Sequence, residues 1–277
     1  TRPLDIVDEL LRFGQTANPV IYENAKVISR RPTPFAVIGS YGSGKTTLMY
    51  AILLYGSAVF PEELILPIYI DINRIASQSN YDTPLGLNFK LRKLLDQVKD
   101  DKLKRHYSYL IGVVDQIKNK FKSVERLSEN IEKIIDITLQ YVLEQKIDNM
   151  RILLLLDELE RPYLNCQKSN DSCKETYKLT NEEEYIAELF TIYNKLFESE
   201  ISYTTFITPG LFEKLDRQLR ERLGAPIRLD EKYNYETLYK FINNICNFYP
   251  PICENINEET KNILVKFIRS PRVLVQV

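Results

Sequence analysis

The run Gly39-Ser40-Tyr41-Gly42-Ser43-Gly44-Lys45-Thr46 constrains this chain more than any other feature of its sequence. It matches G-x-x-x-x-G-K-[ST] in full, directly after the short β-type run Phe35-Ala36-Val37-Ile38 and at the head of the long apolar stretch Thr46 to Tyr55. Strand, tight loop and helix in that order make a cradle for phosphate. Glycines let the backbone N–H groups turn inward, and the helix N-terminus adds a favourable dipole. Lys45 supplies a compact positive charge for β- and γ-phosphates, and Thr46 a hydroxyl of the kind magnesium takes as a ligand. Thr47 serves helix packing or a further phosphate contact, and Tyr41 lies on the nucleotide or on the surface.

The rest of the chain reads as the α/β protein such a loop needs. Leu4 to Phe13 predicts a short amphipathic helix, broken by Gly14 to Asn18 and Pro19 before Val20-Ile21-Tyr22. Further strands are predicted at Leu64 to Ile72, Arg151 to Leu156, Ile201 to Thr208 and Ala225 to Leu229, which with the first gives five. Long amphipathic helices fill residues 85–145, with breaks near Asp100 and Ser123. A helix over Glu182 to Phe197 follows the polar loop Tyr163 to Thr180, and another runs from Pro209-Gly210 to about Leu223. From Tyr235 onward the pattern is helical, with breaks at Pro250-Pro251 and Ser270-Pro271. The expected organisation is a phosphate-loop core over residues 1–232 with a helical insertion at about 85–145. A small C-terminal helical lid follows over residues 233–277. The chain starts at Thr1 and ends on the apolar Val273-Leu274-Val275-Gln276-Val277, so a fragment lacking a further C-terminal domain is an expectation.

A second motif carries chemistry. The strand Arg151 to Leu156 ends at Asp157-Glu158, the form of acidic pair that accompanies such loops: the aspartate holds magnesium through water and the glutamate polarises an attacking water. A glutamate directly after the aspartate favours water over a phosphate acceptor, so a small-molecule kinase fits poorly.

On these residues the chain resembles the AAA+ ATPases, in the initiator-like and STAND-like branch that includes archaeal origin-recognition ATPases. Gly39 to Thr46 corresponds to Walker A, Leu153 to Glu158 to Walker B, Thr205-Phe206-Ile207-Thr208 to sensor 1, and Pro271-Arg272 to sensor 2. The resemblance implies a five-stranded parallel AAA+-like sheet flanked by helices, with ATP and Mg2+ as ligands. It implies catalytic roles for Lys45, Glu158, Thr208 (alternatively Thr205) and Arg272, and magnesium held by Thr46 and Asp157. It also implies an arginine finger among Arg217, Arg220 and Arg222, reaching a neighbouring subunit or protein partner. Asn73 resembles the polar residue that restrains the Walker B glutamate, with a strand-capping asparagine as the alternative. The chain departs from the origin-recognition pattern in its long helices before Walker B and in lacking a recognisable winged helix.

The function expected is therefore an ATP-hydrolysing switch or motor, acting in DNA replication, transposition or defence. The alternative is a STAND-type regulatory module with little turnover. Formal net charge is −1, so global charge gives no nucleic-acid signal, although Lys and Arg outnumber acids from Lys90 to Arg126, a candidate DNA-contact face or a solvated one. The longest apolar run, Leu48 to Tyr55, is too short to span a bilayer and no signal-peptide pattern precedes it, which predicts a cytoplasmic protein without membrane contact. Abundant Ile, Tyr, Lys and Glu with His106 as the one histidine hint at a thermophile. The four cysteines form two pairs of equal spacing, Cys166 with Cys173 and Cys246 with Cys253. Unrelated thiols and two local disulfides both remain open, whereas the gaps are longer than paired zinc ligands use.

Overall fold

Runs of β-branched and large apolar residues form five strands: β1 (Phe35–Ile38), β2 (Leu64–Asp71), β3 (Met150–Asp157), β4 (Ser202–Ile207) and β5 (Ala225–Arg228). In the computed structural model, which describes residues 18–31, 33–59, 64–72, 101–121, 126–146, 150–160, 182–199, 201–248 and 250–268, they make one sheet of order β2-β3-β4-β1-β5. Every pairing is parallel. Parallel sheets are covered on both faces, and β1 and β4 are buried at every residue. The fold class is α/β, a five-stranded parallel sheet flanked by helices.

Strand order fixes where a site can lie. The chain leaves β1 towards β2 on one side and leaves β4 towards β5 on the other, which opens a crevice at the carboxyl ends of β1 and β4. Ligands of open parallel sheets bind at such a switch point. The phosphate-type loop follows β1 directly.

Both edge strands carry a proline, Pro67 in β2 and Pro226 in β5. A residue without an amide hydrogen is tolerated in a sheet at its edges, so these two positions agree with the observed order. Gly224, just before β5, has φ of 93°, and a Cβ there would lie 2.1 Å from the Pro34 carbonyl oxygen. The same carbonyl accepts the Ala225 N–H at 3.0 Å, so the missing side chain is what lets β5 reach β1.

Helices cover the sheet. α1 (Pro19–Arg30) packs on α2 (Lys45–Val59), and α3 (Asp101–Lys120) packs on α4 (Leu127–Glu144) and β2. α5 (Glu182–Glu198) packs on α4. Pro19, read in the sequence as part of a break, instead starts α1: it occupies the first turn, and Asn18 caps the helix by accepting the Ile21 N–H at 3.2 Å. The single helix expected from Pro209 to about Leu223 is two, α6 (Pro209–Lys214) and α7 (Arg217–Arg222). Asp216 divides them because its side chain caps α7 through the Leu219 N–H at 2.7 Å. A one-turn helix, α8 (Leu229–Lys232), follows β5.

The described residues after Tyr235 form helices as expected: α9 (Tyr235–Phe248), α10 (Pro250–Cys253) and α11 (Glu258–Phe267), with α9 in contact with both others and with α1. A Cys246–Cys253 disulfide joins α9 to α10. The predicted helix Leu4 to Phe13, residues 85–100, the loop Tyr163 to Thr180 and the pair Cys166 and Cys173 lie outside the described residues. No helix among the described residues is long and apolar enough to cross a membrane.

His106 on α3 is 1% exposed, and neither ring nitrogen has a hydrogen-bond partner among the described residues. Burial lowers its pKa to about 4, below the ordinary 6.5. Between those values the unfolded chain binds the additional proton and the folded chain does not, so stability rises with pH and is lost as pH falls from 6.5 towards 4. At about 1.4 kcal/mol per unit, the loss expected by pH 4 is about 3 kcal/mol. Denaturant melts of the parent and His106→Leu from pH 7 to 4.5 check this. Equal pH slopes for the two proteins would remove His106 as the cause.

Candidate phosphate-binding site

The loop leaves the sheet while still tied to it: the Gly39 N–H donates to the Ile207 carbonyl at 3.1 Å, and the Ser43 N–H to the Ser40 carbonyl at 3.2 Å. Gly42 and Gly44 have φ of 85° and 97°. At Gly44 a Cβ would combine that backbone with a 3.0 Å approach to Ile21 Cδ1, so no other residue fits easily. A Cβ at Gly39 would fall 2.2 Å from Ser43 Oγ. That hydroxyl is buried and has no hydrogen-bond partner among the described residues. α2 starts at Lys45 and points its N-terminus into the loop. Thr46 and Thr47 are exposed on its first turn, and Tyr41 is 68% exposed.

Lys45 Nζ donates to the Gly39 carbonyl at 2.6 Å and to the Ser40 carbonyl at 3.2 Å, and lies 5.6 Å from the Tyr41 ring centroid. Burial lowers its pKa, opposed by Glu160, Asp157, Asp230 and Glu158 in that order. A lysine from one strand end thus sits in the field of carboxylates from two others.

Asp157 closes β3 beside Asp71 of β2 and is 4% exposed; its Oδ1 accepts the Glu158 N–H at 2.9 Å. Burial first, then the charges of Glu158 and Glu160, push its carboxyl up to about 7 against the opposing Glu158 N–H and Lys45. A divalent cation reverses that balance, which makes Asp157 suited to one. Glu158 is half-buried with φ of 62°, in the left-handed region that side chains other than glycine seldom adopt. Such strain, of order 1–3 kcal/mol, persists where surrounding structure enforces it.

Of the two threonines in question, Thr205 is fully buried and shares a 2.8 Å hydrogen bond with the Tyr193 hydroxyl, facing α5. Thr208 stands at the carboxyl edge, half-buried in the cap position of α6, and its backbone N–H donates to Glu160 Oε1. The three arginines separate as well. Arg222 lies over Phe190 and Phe197, and Arg220 lies over Phe212 with its Nε donating to the Asp216 carbonyl. Arg217 is the outermost, its side chain 88% exposed and 2.8 Å from Glu221. Arg272 and Asn73 lie outside the described residues.

Two residues of the site went unread in the sequence. Glu160, 7% exposed, joins the acidic end of β3 to Thr208 and has the largest charge effect on Lys45. Its only signal was position, two residues past Glu158. Asp230 of α8 accepts the Ser40 N–H at 2.8 Å and the Ser40 hydroxyl at 2.9 Å. No local pattern marks it.

Sheet, loop and acidic strand end together define an α/β protein with a glycine-rich loop at the switch point of its parallel sheet. No family model and no curated protein matches the chain. Solved structures similar to it include a replication initiator DnaA bound to AMPPCP and single-stranded DNA, at 17% identity and a TM-score of 0.46, covering 93% of this chain and 57% of that one. An AMPPCP-bound DnaA from Aquifex aeolicus is similar at 18% identity and a TM-score of 0.44, with coverage of 93% and 57%. The Aeropyrum pernix Orc1 protein in complex with DNA is similar at 12% identity and a TM-score of 0.43, with coverage of 91% and 58%. DnaA and Orc1 are AAA+ ATPases. The chain spans less than two thirds of the length of each.

Proposed function

We propose that the chain binds ATP with magnesium at the Gly39–Thr46 loop and hydrolyses it as an AAA+-type switch or motor. The observation that carries this reading is the convergence at one sheet edge of the loop lysine with Asp157, Glu158 and Glu160, all within its electrostatic reach. These are the groups that phosphoryl transfer to water requires, brought together from distant parts of the sequence.

In this reading the inward N–H groups of the loop and Lys45 hold the β- and γ-phosphates. Thr46, and Asp157 through water, would hold magnesium, which neutralises phosphate charge when bound. Among the described residues no three His, Cys, Asp or Glu side chains are grouped to cage a metal. Magnesium takes one or two protein oxygens and fills its other positions with water and phosphate. Glu158 takes a proton from a water as its oxygen bonds to the γ-phosphorus; the bond to the β-γ bridging oxygen breaks, and ADP and phosphate leave. Thr208, held at its N–H by Glu160, orients that water. Arg272 takes the sensor role toward the γ-phosphate, and Arg217, Arg220 or Arg222 completes the site of a neighbouring copy or partner. The work driven belongs to DNA replication, transposition or defence, in the cytoplasm.

The purified chain is expected to bind ATP in magnesium buffer and to release phosphate, with turnover responding to added DNA and mass by light scattering reporting self-association. Absence of ATP binding by calorimetry ends the reading. Binding without turnover would favour the STAND-type regulatory module.

A further inference from the structure

Ser40 has every polar group committed. Its N–H and hydroxyl donate to the two carboxylate oxygens of Asp230, at 2.8 and 2.9 Å, and its carbonyl accepts from the Ser43 N–H and Lys45 Nζ. The segment holding it lies close to the loop at both ends. A Cβ on Gly39 would lie 3.4 Å from Leu229 Cβ, and one on Gly44 would lie 3.3 Å from the Tyr233 hydroxyl, which in turn accepts from Asn18 Nδ2 at 3.2 Å. Leu229, Asp230 and Tyr233 therefore cup the loop from outside, and the chain runs from them straight into α9.

An acid beside a loop that takes polyphosphate is electrostatically costly, since like charges repel and the local dielectric is below that of water. Its place against the loop calls for a positive role. We propose that Asp230 is a positioning residue: by clamping Ser40 from the segment that begins the helical appendage, it sets the shape of the phosphate loop and ties that shape to the appendage. The inference rests on the ATP-binding reading for its ligand, while the clamp itself is testable without nucleotide.

Three proteins separate clamp from charge: the parent, Asp230→Ala and Asp230→Asn. Asparagine removes the charge yet can keep both contacts, its oxygen accepting the Ser40 N–H and its amide donating to the Ser40 hydroxyl. Without nucleotide, amide hydrogen exchange across residues 39–46 is expected to quicken in Asp230→Ala and to stay parental in Asp230→Asn. ATP affinity by calorimetry is expected to fall about tenfold in Asp230→Ala and to return within about twofold in Asp230→Asn. Parental loop exchange in Asp230→Ala overturns the clamp, and so does equal impairment of both variants, which would make the charge and not the hydrogen bonds responsible. If the parent binds no ATP, the functional reading fails by itself and the exchange experiment still decides the clamp.

Discussion

Replacing Lys45 by alanine is expected to weaken ATP binding at least about a hundredfold, because charge-assisted hydrogen bonds to phosphate contribute about 1.5–3 kcal/mol each and the loop holds no other cation. The effect should exceed that of losing one contact. Lys45 is the positive side chain among Asp157, Glu158, Glu160 and Asp230, so its removal leaves a polyanion facing four carboxylates with one fewer compensating charge. Calorimetric titration with ATP in magnesium buffer measures it. Unchanged affinity would sink the assignment of the loop as the nucleotide site.

Glu158→Gln is expected to keep ATP affinity within a few-fold while slowing hydrolysis by about 10²–10⁴, the usual contribution of a positioned general base. The amide is close in size to the carboxylate but does not take a proton from water. Both side chains sit on the same left-handed backbone, so the comparison isolates the carboxylate from the strain at this residue. Single-turnover phosphate release reads the outcome, and a variant as fast as the parent ends the catalytic role of Glu158.

What the sequence made legible was local. The loop and the acidic strand end are written in consecutive residues whose geometry follows from their own backbone, as Gly44 at φ 97° illustrates. β1 and β3 were legible for a similar reason, since strands buried on both faces are short apolar runs. Contacts across the fold left no such trace. Glu160 reaches Thr208 and Asp230 reaches Ser40 only after the sheet has brought separate strand ends together, and no spacing rule encodes that. Turn residues misled in both directions. Pro19 looked like a break and proved to be a helix start, whereas Asp216 sat inside a helical pattern and divided it. The equal spacing of the cysteine pairs did not distinguish thiols from disulfides; Cys246 and Cys253 are joined because α9 and α10 fold back on each other.

The prolines at the two sheet edges bear on how this protein can meet another. Each of the outermost strands lacks an amide hydrogen at one position, Pro67 on one side and Pro226 on the other. A strand from a second molecule would find its ladder interrupted, which disfavours growth of the sheet by main-chain pairing. Contact with a second molecule is thereby left to side chains on helices and loops, among which Arg217 is highly exposed. A partner chosen through side chains can be gained or lost one residue at a time; one recruited through backbone could not.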